Sequence, residues 1–197
     1  MLKLRHFVLA LVTAALLLPV LAQAQDLHPS RRKSPVGIAQ TFVGDAYVKI
    51  TYGRPYKRDR DNIFGTGDDA LVPFGKVWRT GANEATEITL TGDLKVEGQL
   101  LKAGTYTLFT TPGPDSWKVH FNSDLGLWGT LRRNAETKQW ENGYNPEHDV
   151  LVVEVKPTTL EDEVDQLTFR FVDVEGGAQL QLRWIHTQVS ILVAPAN

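Results

Sequence analysis

With 197 residues, 23 acidic against 21 basic side chains and no cysteine, the chain is long enough for one domain with a real core and short for two. The lack of cysteine excludes disulfides, thiolate nucleophiles and cysteine-ligated metals. A formal net charge of −2 supplies no overall positive field, so nucleic acid is not an expected partner.

Lys3 and Arg5 precede an apolar run from Phe7 to Leu21, and Ala22-Gln23-Ala24 offers small residues for cleavage, so residues 1–24 read as an export signal. That reading places the rest of the chain in the periplasm or outside the cell. The apolar run is short for a membrane span, and no cysteine is available to carry a lipid, so a non-spanning protein is expected. Residues 25–35, with Ser30-Arg31-Arg32-Lys33-Ser34, read as a polar lead-in, and residues 36–195 as a single domain.

From Ile38 the pattern is that of strands. Ile38–Val43 and Ala46–Tyr52 flank the turn residues Gly44-Asp45, with Val48, Ile50 and Tyr52 on one face of the second strand. Gly53 to Phe74 has no periodicity and reads as a long loop carrying Arg54, Lys57, Arg58 and Arg60 beside Asp59, Asp61, Asp68 and Asp69. Short strands follow at Thr86–Leu90, Leu94–Glu97, Thr105–Thr110 and Ser116–Asn122, separated by Gly98-Gln99 and Pro112-Gly113-Pro114-Asp115. Asp124 to Pro146 is a second irregular region, expected to cover one end of the sheets. His148–Lys156, Gln166–Val172, Gln179–Ile185 and Gln188–Val193 complete about ten strands. With no helical period and no βαβ spacing, the expected fold is all-β, an antiparallel β-sandwich, with a partly closed barrel as the alternative.

Leu71 to Glu84, LVPFGKVWRTGANE, is the densest run of special residues. Val77 and Trp78 suit a core, while Thr80-Gly81-Ala82-Asn83 reads as a tight loop because Gly and Asn tolerate positive φ, fixing Arg79 and Glu84 in place. WRTGANEAT (Trp78–Thr86), the upstream GRP (Gly53–Pro55) and IFG (Ile63–Gly65), and the downstream AGTYTLFT (Ala103–Thr110) resemble, in order, the bacterial envelope family known as domain of unknown function 2911. The resemblance covers roughly Ser34 to Val193. Family members carry Lys-Gly-Arg before IFG where this chain reads Tyr56-Lys57-Arg58-Asp59-Arg60-Asp61-Asn62, which leaves the register of Arg58 and Arg60 open. The resemblance implies an envelope protein and no particular reaction.

The arginines at 54, 58, 60 and 79 either converge on an anion, for which guanidinium forks are suited, or pair with Asp59, Asp61, Asp68, Asp69 or Glu84; pairing is the expectation for the loop. The candidate ligand site is Arg79 with Arg54, oriented by Asn83 and Glu84 and walled by Tyr52, Trp78 and Tyr106. An unidentified anionic or saccharide ligand, or another envelope protein, is the partner this implies. The competing enzymatic reading is a glycan or peptide hydrolase with Glu84 as acid/base and Glu87 or His120 beside it. His28, His120, His148 and His186 show no metal-ligand spacing, so no metal and no cofactor are expected. Trp117 and Trp184 fall in phase with core positions, whereas Trp128 and Trp140 are candidates for ligand contact.

Overall fold

Strands form where apolar residues alternate with polar ones, and the apolar set of each strand then finds its counterpart across a shared core. In the computed structural model, which describes residues 31–196, strands β1 (Val36–Val43) and β2 (Ala46–Gly53) make the opening hairpin, with Val43 paired to Ala46 around Gly44 at φ 56°. Residues 1–24, expected from the sequence to be an export signal, and the lead-in as far as residue 30, with His28, lie outside the described residues. The long loop holds one parallel pair of two-residue strands, β3 (Phe64–Gly65) and β4 (Val72–Pro73). Next come β5 (Thr86–Leu90), β6 (Leu94–Val96) and β7 (Gln99–Leu101); the turn between β6 and β7 places both Glu97 and Gly98 at positive φ, the geometry of tight hairpins. Strands β8 (Gly104–Thr111) and β9 (Trp117–Asn122) follow, then β12 (Asp149–Val155) after an excursion that holds the ribbon β10 (Leu131–Arg133) and β11 (Trp140–Asn142). The chain ends in a long hairpin, β13 (Pro157–Val174) and β14 (Gly177–Pro195).

One six-stranded antiparallel sheet runs β1-β2-β5-β8-β9-β12, and a four-stranded sheet runs β13-β14-β6-β7. Val48, Ile50, Ile88, Leu108, Val119 and Phe121 of the first sheet meet Leu94, Leu167, Phe169, Leu180, Leu182 and Trp184 of the second in one continuous buried cluster. The fold is the expected β-sandwich, and no sheet closes into a barrel.

Two expectations are corrected. Gln179–Ile185 and Gln188–Val193 belong to one strand, β14, rather than two; its register against β13 slips between Thr159 and Val164 and again before Thr168, and Ile185 sits at φ 47°. The strand is sharply bent there. Sixteen residues of straight strand would separate Gly177 from Val193 by about 50 Å, yet a Cβ on Gly177 would lie 2.2 Å from the Val193 carbonyl oxygen. Proteins tolerate a positive φ at a β-branched residue only where the surroundings enforce it, and Ile185 is packed against the core at the fold-back. The second correction concerns Asp124–Pro146, which contains β10 and β11 and packs on the outer face of the six-stranded sheet instead of capping an end. Leu127 and Tyr144 from the excursion cover Ala85 and Phe109.

Candidate functional site

The Trp78–Glu84 loop is built on β8. Trp78 exchanges two backbone hydrogen bonds with Thr110, at 2.7 and 3.0 Å. Its indole stacks on Trp184 with centroids 6.1 Å apart and packs edge-on against Phe64 at 5.6 Å, so the IFG and WRTGANE motifs meet in one aromatic cluster that also takes in Trp117. The left-handed turn falls on Thr80 (φ 58°) and Asn83 (φ 64°), not on Gly81. A β-branched residue in that region is strained. Thr80 is fully buried and restrained by bonds: its hydroxyl reaches the Trp78 carbonyl and the Thr110 hydroxyl, and its carbonyl accepts from the Thr86 hydroxyl at 2.9 Å. Gly81 serves another need, close approach. A Cβ there would stand 2.9 Å from the Gly53 carbonyl, while one on Gly53 would stand 1.9 Å from the Ala82 carbonyl. The GRP motif and the central motif therefore interlock backbone to backbone, joined by the Ala82 N–H to Gly53 carbonyl bond of 3.3 Å.

This loop walls a cavity of about 320 Å³ lined by Arg79, Asn83, Arg60, Ser34 and Pro55, with Trp78 and Trp184 at its apolar side. Arg79 is half-buried, and desolvation by burial holds its guanidinium below the ordinary arginine value. It donates from Nε to the Gly81 carbonyl at 3.2 Å, and no carboxylate pairs with it among the described residues. Asn83 donates from its amide to the Ser34 carbonyl at 3.0 Å and lines the same cavity as Arg79.

The remaining arginines do not form the expected salt bridges. Arg60 donates to the carbonyls of Lys57 and Tyr56, Arg58 to that of Lys33, and Arg54 to the Leu167 carbonyl and the Thr168 hydroxyl. Asp69 accepts from Asn62 instead. Extended loop backbone exposes carbonyl oxygens that need donors, and a guanidinium supplies several. Arg54 points to β13 and lies outside the Arg79 cavity, whose second arginine is Arg60. Tyr52 and Tyr106 do not line the Arg79 cavity, and Tyr52 borders the separate cleft that holds Glu84 and Glu87. The Tyr52 hydroxyl accepts from the Phe169 N–H at 2.9 Å in the core, and the Tyr106 hydroxyl donates to the Lys102 carbonyl.

Glu84 and Glu87 line a different cleft, of about 250 Å³, with Val36, Thr51, Gly126 and Leu127. Glu87 accepts from the Gly126 N–H at 3.0 Å. His120 is in neither. It is buried on the outer face of the six-stranded sheet, with Nδ1 2.9 Å from Asp149 and Nε2 3.0 Å from the Thr111 hydroxyl. Asp149 also accepts from the Tyr144 hydroxyl at 2.9 Å and the Asn122 amide at 2.8 Å. Burial first, then the bond to Asp149, push the Tyr144 phenol well above its ordinary value. Both ring nitrogens of His120 are thus engaged in a clasp that joins β9 to the excursion. Strand alternation puts His120 and Asn122 on the face opposite Trp117, Val119 and Phe121, but no sequence signal joins them to Asp149, Tyr144 and Thr111. Of the other tryptophans, Trp117 and Trp184 are core residues, and Trp128 and Trp140 are 41% and 53% exposed.

The family described as "Protein of unknown function (DUF2911)" matches residues 34–193. No curated protein and no solved structure matches the chain. The chain belongs to the DUF2911 family, and within the matched range Pro55 of the GRP motif and Trp78, Gly81, Ala82 and Asn83 of the central motif line the cavity with Arg79.

Proposed function

We propose that this member of the DUF2911 family is an exported binding module of the cell envelope that takes the anionic group of a small ligand, a free acid or an acidic saccharide, in the cavity at Arg79. The observation that carries the reading is Arg79 itself: a half-buried guanidinium with one backbone carbonyl bond and no carboxylate partner among the described residues. A cation taken out of water without a counter-charge costs stability, and an incoming oxyanion removes that cost while using the guanidinium fork. Asn83 and Arg60 supply further polar groups, and Trp78 gives a sugar ring or aliphatic body an apolar wall. The test is a thermal-shift screen against carboxylates, phosphate and acidic envelope saccharides, with Arg79→Ala and Arg79→Lys beside the parent protein. A ligand bound only by the native state raises the melting temperature. The expected result is a compound that stabilises the parent, leaves a folded Arg79→Ala unmoved and acts weakly on Arg79→Lys. If no compound shifts the parent and Arg79→Ala melts early, the loop is a structural clasp and the proposal fails.

Hydrolysis of envelope glycan or peptide is the second reading, favoured by one observation: Glu84 and Glu87 line the same cleft. It ranks lower because Glu87 is already bonded to Gly126 and His120 is engaged elsewhere. Turnover of such a polymer by the parent and its loss in Glu84→Gln would reverse the ranking.

A further inference from the structure

The outer face of the second sheet gathers three arginines that the Arg79 cavity does not use. In the β13–β14 register Thr168 stands opposite Arg183, and Arg170 stands opposite Gln181. Side chains directly opposite in an antiparallel pair have Cβ atoms about 5 Å apart and diagonal ones about 7–8 Å, so Arg170 and Arg183 are diagonal neighbours on one face. Arg54 joins them from the neighbouring loop, its terminal nitrogen 3.0 Å from the Thr168 hydroxyl. Among the described residues no carboxylate forms an ion pair with any of the three.

Their surroundings orient them. Arg170 donates from Nε to the Gln181 side-chain oxygen at 2.9 Å, and Gln181 is fixed in turn by its own amide donating to Gln179 at 3.0 Å. Gln181 is only 6% exposed, so this support is rigid. Arg54 is held by the Leu167 carbonyl at 3.3 Å and by Thr168, whose hydroxyl donates to Gln166 and accepts from Arg54. Arg183 differs: its Nε is buried and has no hydrogen-bond partner. Buried donors in folded proteins are almost always satisfied, so an orphan within a group of like charges is an anomaly. The Nε itself is shielded from solvent, so what it marks is a guanidinium held in place without a counter-charge, and an oxyanion taken at the outer nitrogens of the three arginines neutralises the cluster.

We propose that Arg54, Arg170 and Arg183 form a second anion site, separate from the Arg79 cavity, that binds a tetrahedral oxyanion of the phosphate or sulfate class. Guanidinium groups on adjacent strands present pairs of N–H donors to such an ion from several sides, and the sheet fixes their spacing. The chemistry is that of a phosphoryl group, whether free in solution or carried on a lipid headgroup.

The experiment follows backbone amide shifts of the protein titrated with inorganic phosphate at low salt. Saturable shifts at Thr168, Gln181 and Arg183 are expected, weakened roughly tenfold in Arg170→Gln combined with Arg183→Gln and retained in Arg79→Ala. Arg170→Gln alone, at an exposed position, is expected to fold and to weaken the shifts several-fold, so the test survives if the double variant does not fold. Shifts at Gly81 and Asn83 report the first cavity, so failure of one site is read separately from failure of the other. Co-sedimentation with phosphatidic acid vesicles, but not with phosphatidylcholine vesicles, that is lost in the same variants identifies a lipid-borne source; its absence beside saturable phosphate binding identifies a soluble one. Shifts that do not saturate, or that persist unchanged in Arg170→Gln, overturn the proposal.

Discussion

Gly53 and Gly81 stand where two backbones touch, and the distances rank what a methyl group would do. On Gly53 the added carbon would meet the Ala82 carbonyl oxygen at 1.9 Å, and neither partner is a flexible side chain that can swing away. On Gly81 it would meet the Gly53 backbone carbonyl at 2.9 Å and the Thr86 hydroxyl at 3.1 Å, an overlap that also forces a shift but a full ångström milder than the one at Gly53. Gly53→Ala is therefore expected to cost about 3 kcal/mol and Gly81→Ala about 1 kcal/mol, at the two ends of the range for overpacking. Denaturant midpoints with unchanged slopes measure both, and equal costs would refute the close-approach account. Of the candidate site, Arg79, Asn83 and Trp78 were legible because turn residues bracket them in the sequence. Arg54 was not, since the direction of a side chain after the end of a strand depends on tertiary contacts with Leu167 and Thr168. Tyr106 carried a usable signal: it shares strand phase with Leu108, which is fully buried.

The element that shows most clearly what alternation reveals is β9. Trp117, Val119 and Phe121 point inward as their spacing requires, so His120 and Asn122 had to point outward; nothing in the spacing said that Tyr144 and Asp149 would cover them. The same limit hid the bend of β14, because Ile185 continues the apolar count while its backbone leaves the strand region. The clasp has a pH signature. Tyr144 titrates above its ordinary value of 10.0 in the folded protein, so the folded state holds the proton more tightly than the unfolded chain. Its contribution is complete below pH about 10 and is lost as pH rises from there toward the folded value. Tyr144→Phe is expected to cost about 1.5 kcal/mol at pH 7, the loss of one hydrogen bond to a carboxylate, and to flatten the decline of stability above pH about 10. Some slope remains, because burial also raises Tyr52. A variant whose alkaline decline matches the parent's would show that Tyr144 does not carry this dependence.

At the scale of the molecule, the excursion between β9 and β12 sits on a sandwich whose main core is complete without it. The Ser123 N–H bonds the His148 carbonyl at 3.0 Å, so the chain leaves and returns at one point. The main buried cluster draws no residue from between Asn122 and Leu151, and what the excursion buries is the separate outer patch of Ala85 and Phe109 under Leu127 and Tyr144. Replacing Leu125–Pro146 by a short Gly/Ser linker should therefore leave a cooperatively folded protein with its far-UV spectrum intact. Stability should fall by about 3–5 kcal/mol, the scale of uncovering one large aromatic and losing its partners, and the bared Phe109 should bind a hydrophobic dye. Tryptophan emission gives an independent reading. The linker removes Trp128 and Trp140, the two exposed indoles, and keeps Trp117 and Trp184, which are buried, with Trp78 stacked beside them. The emission maximum should thus move to shorter wavelength even as stability drops, a combination that partial unfolding cannot produce. A shift to longer wavelength with loss of the cooperative transition would place the excursion within the folding unit. The residues lining the Arg79 cavity lie outside the replaced segment, but Gly129 within it packs on the Arg79 guanidinium, where a Cβ would stand 2.8 Å from Nη1, so a ligand found for the parent should stabilise the shortened chain less than the parent.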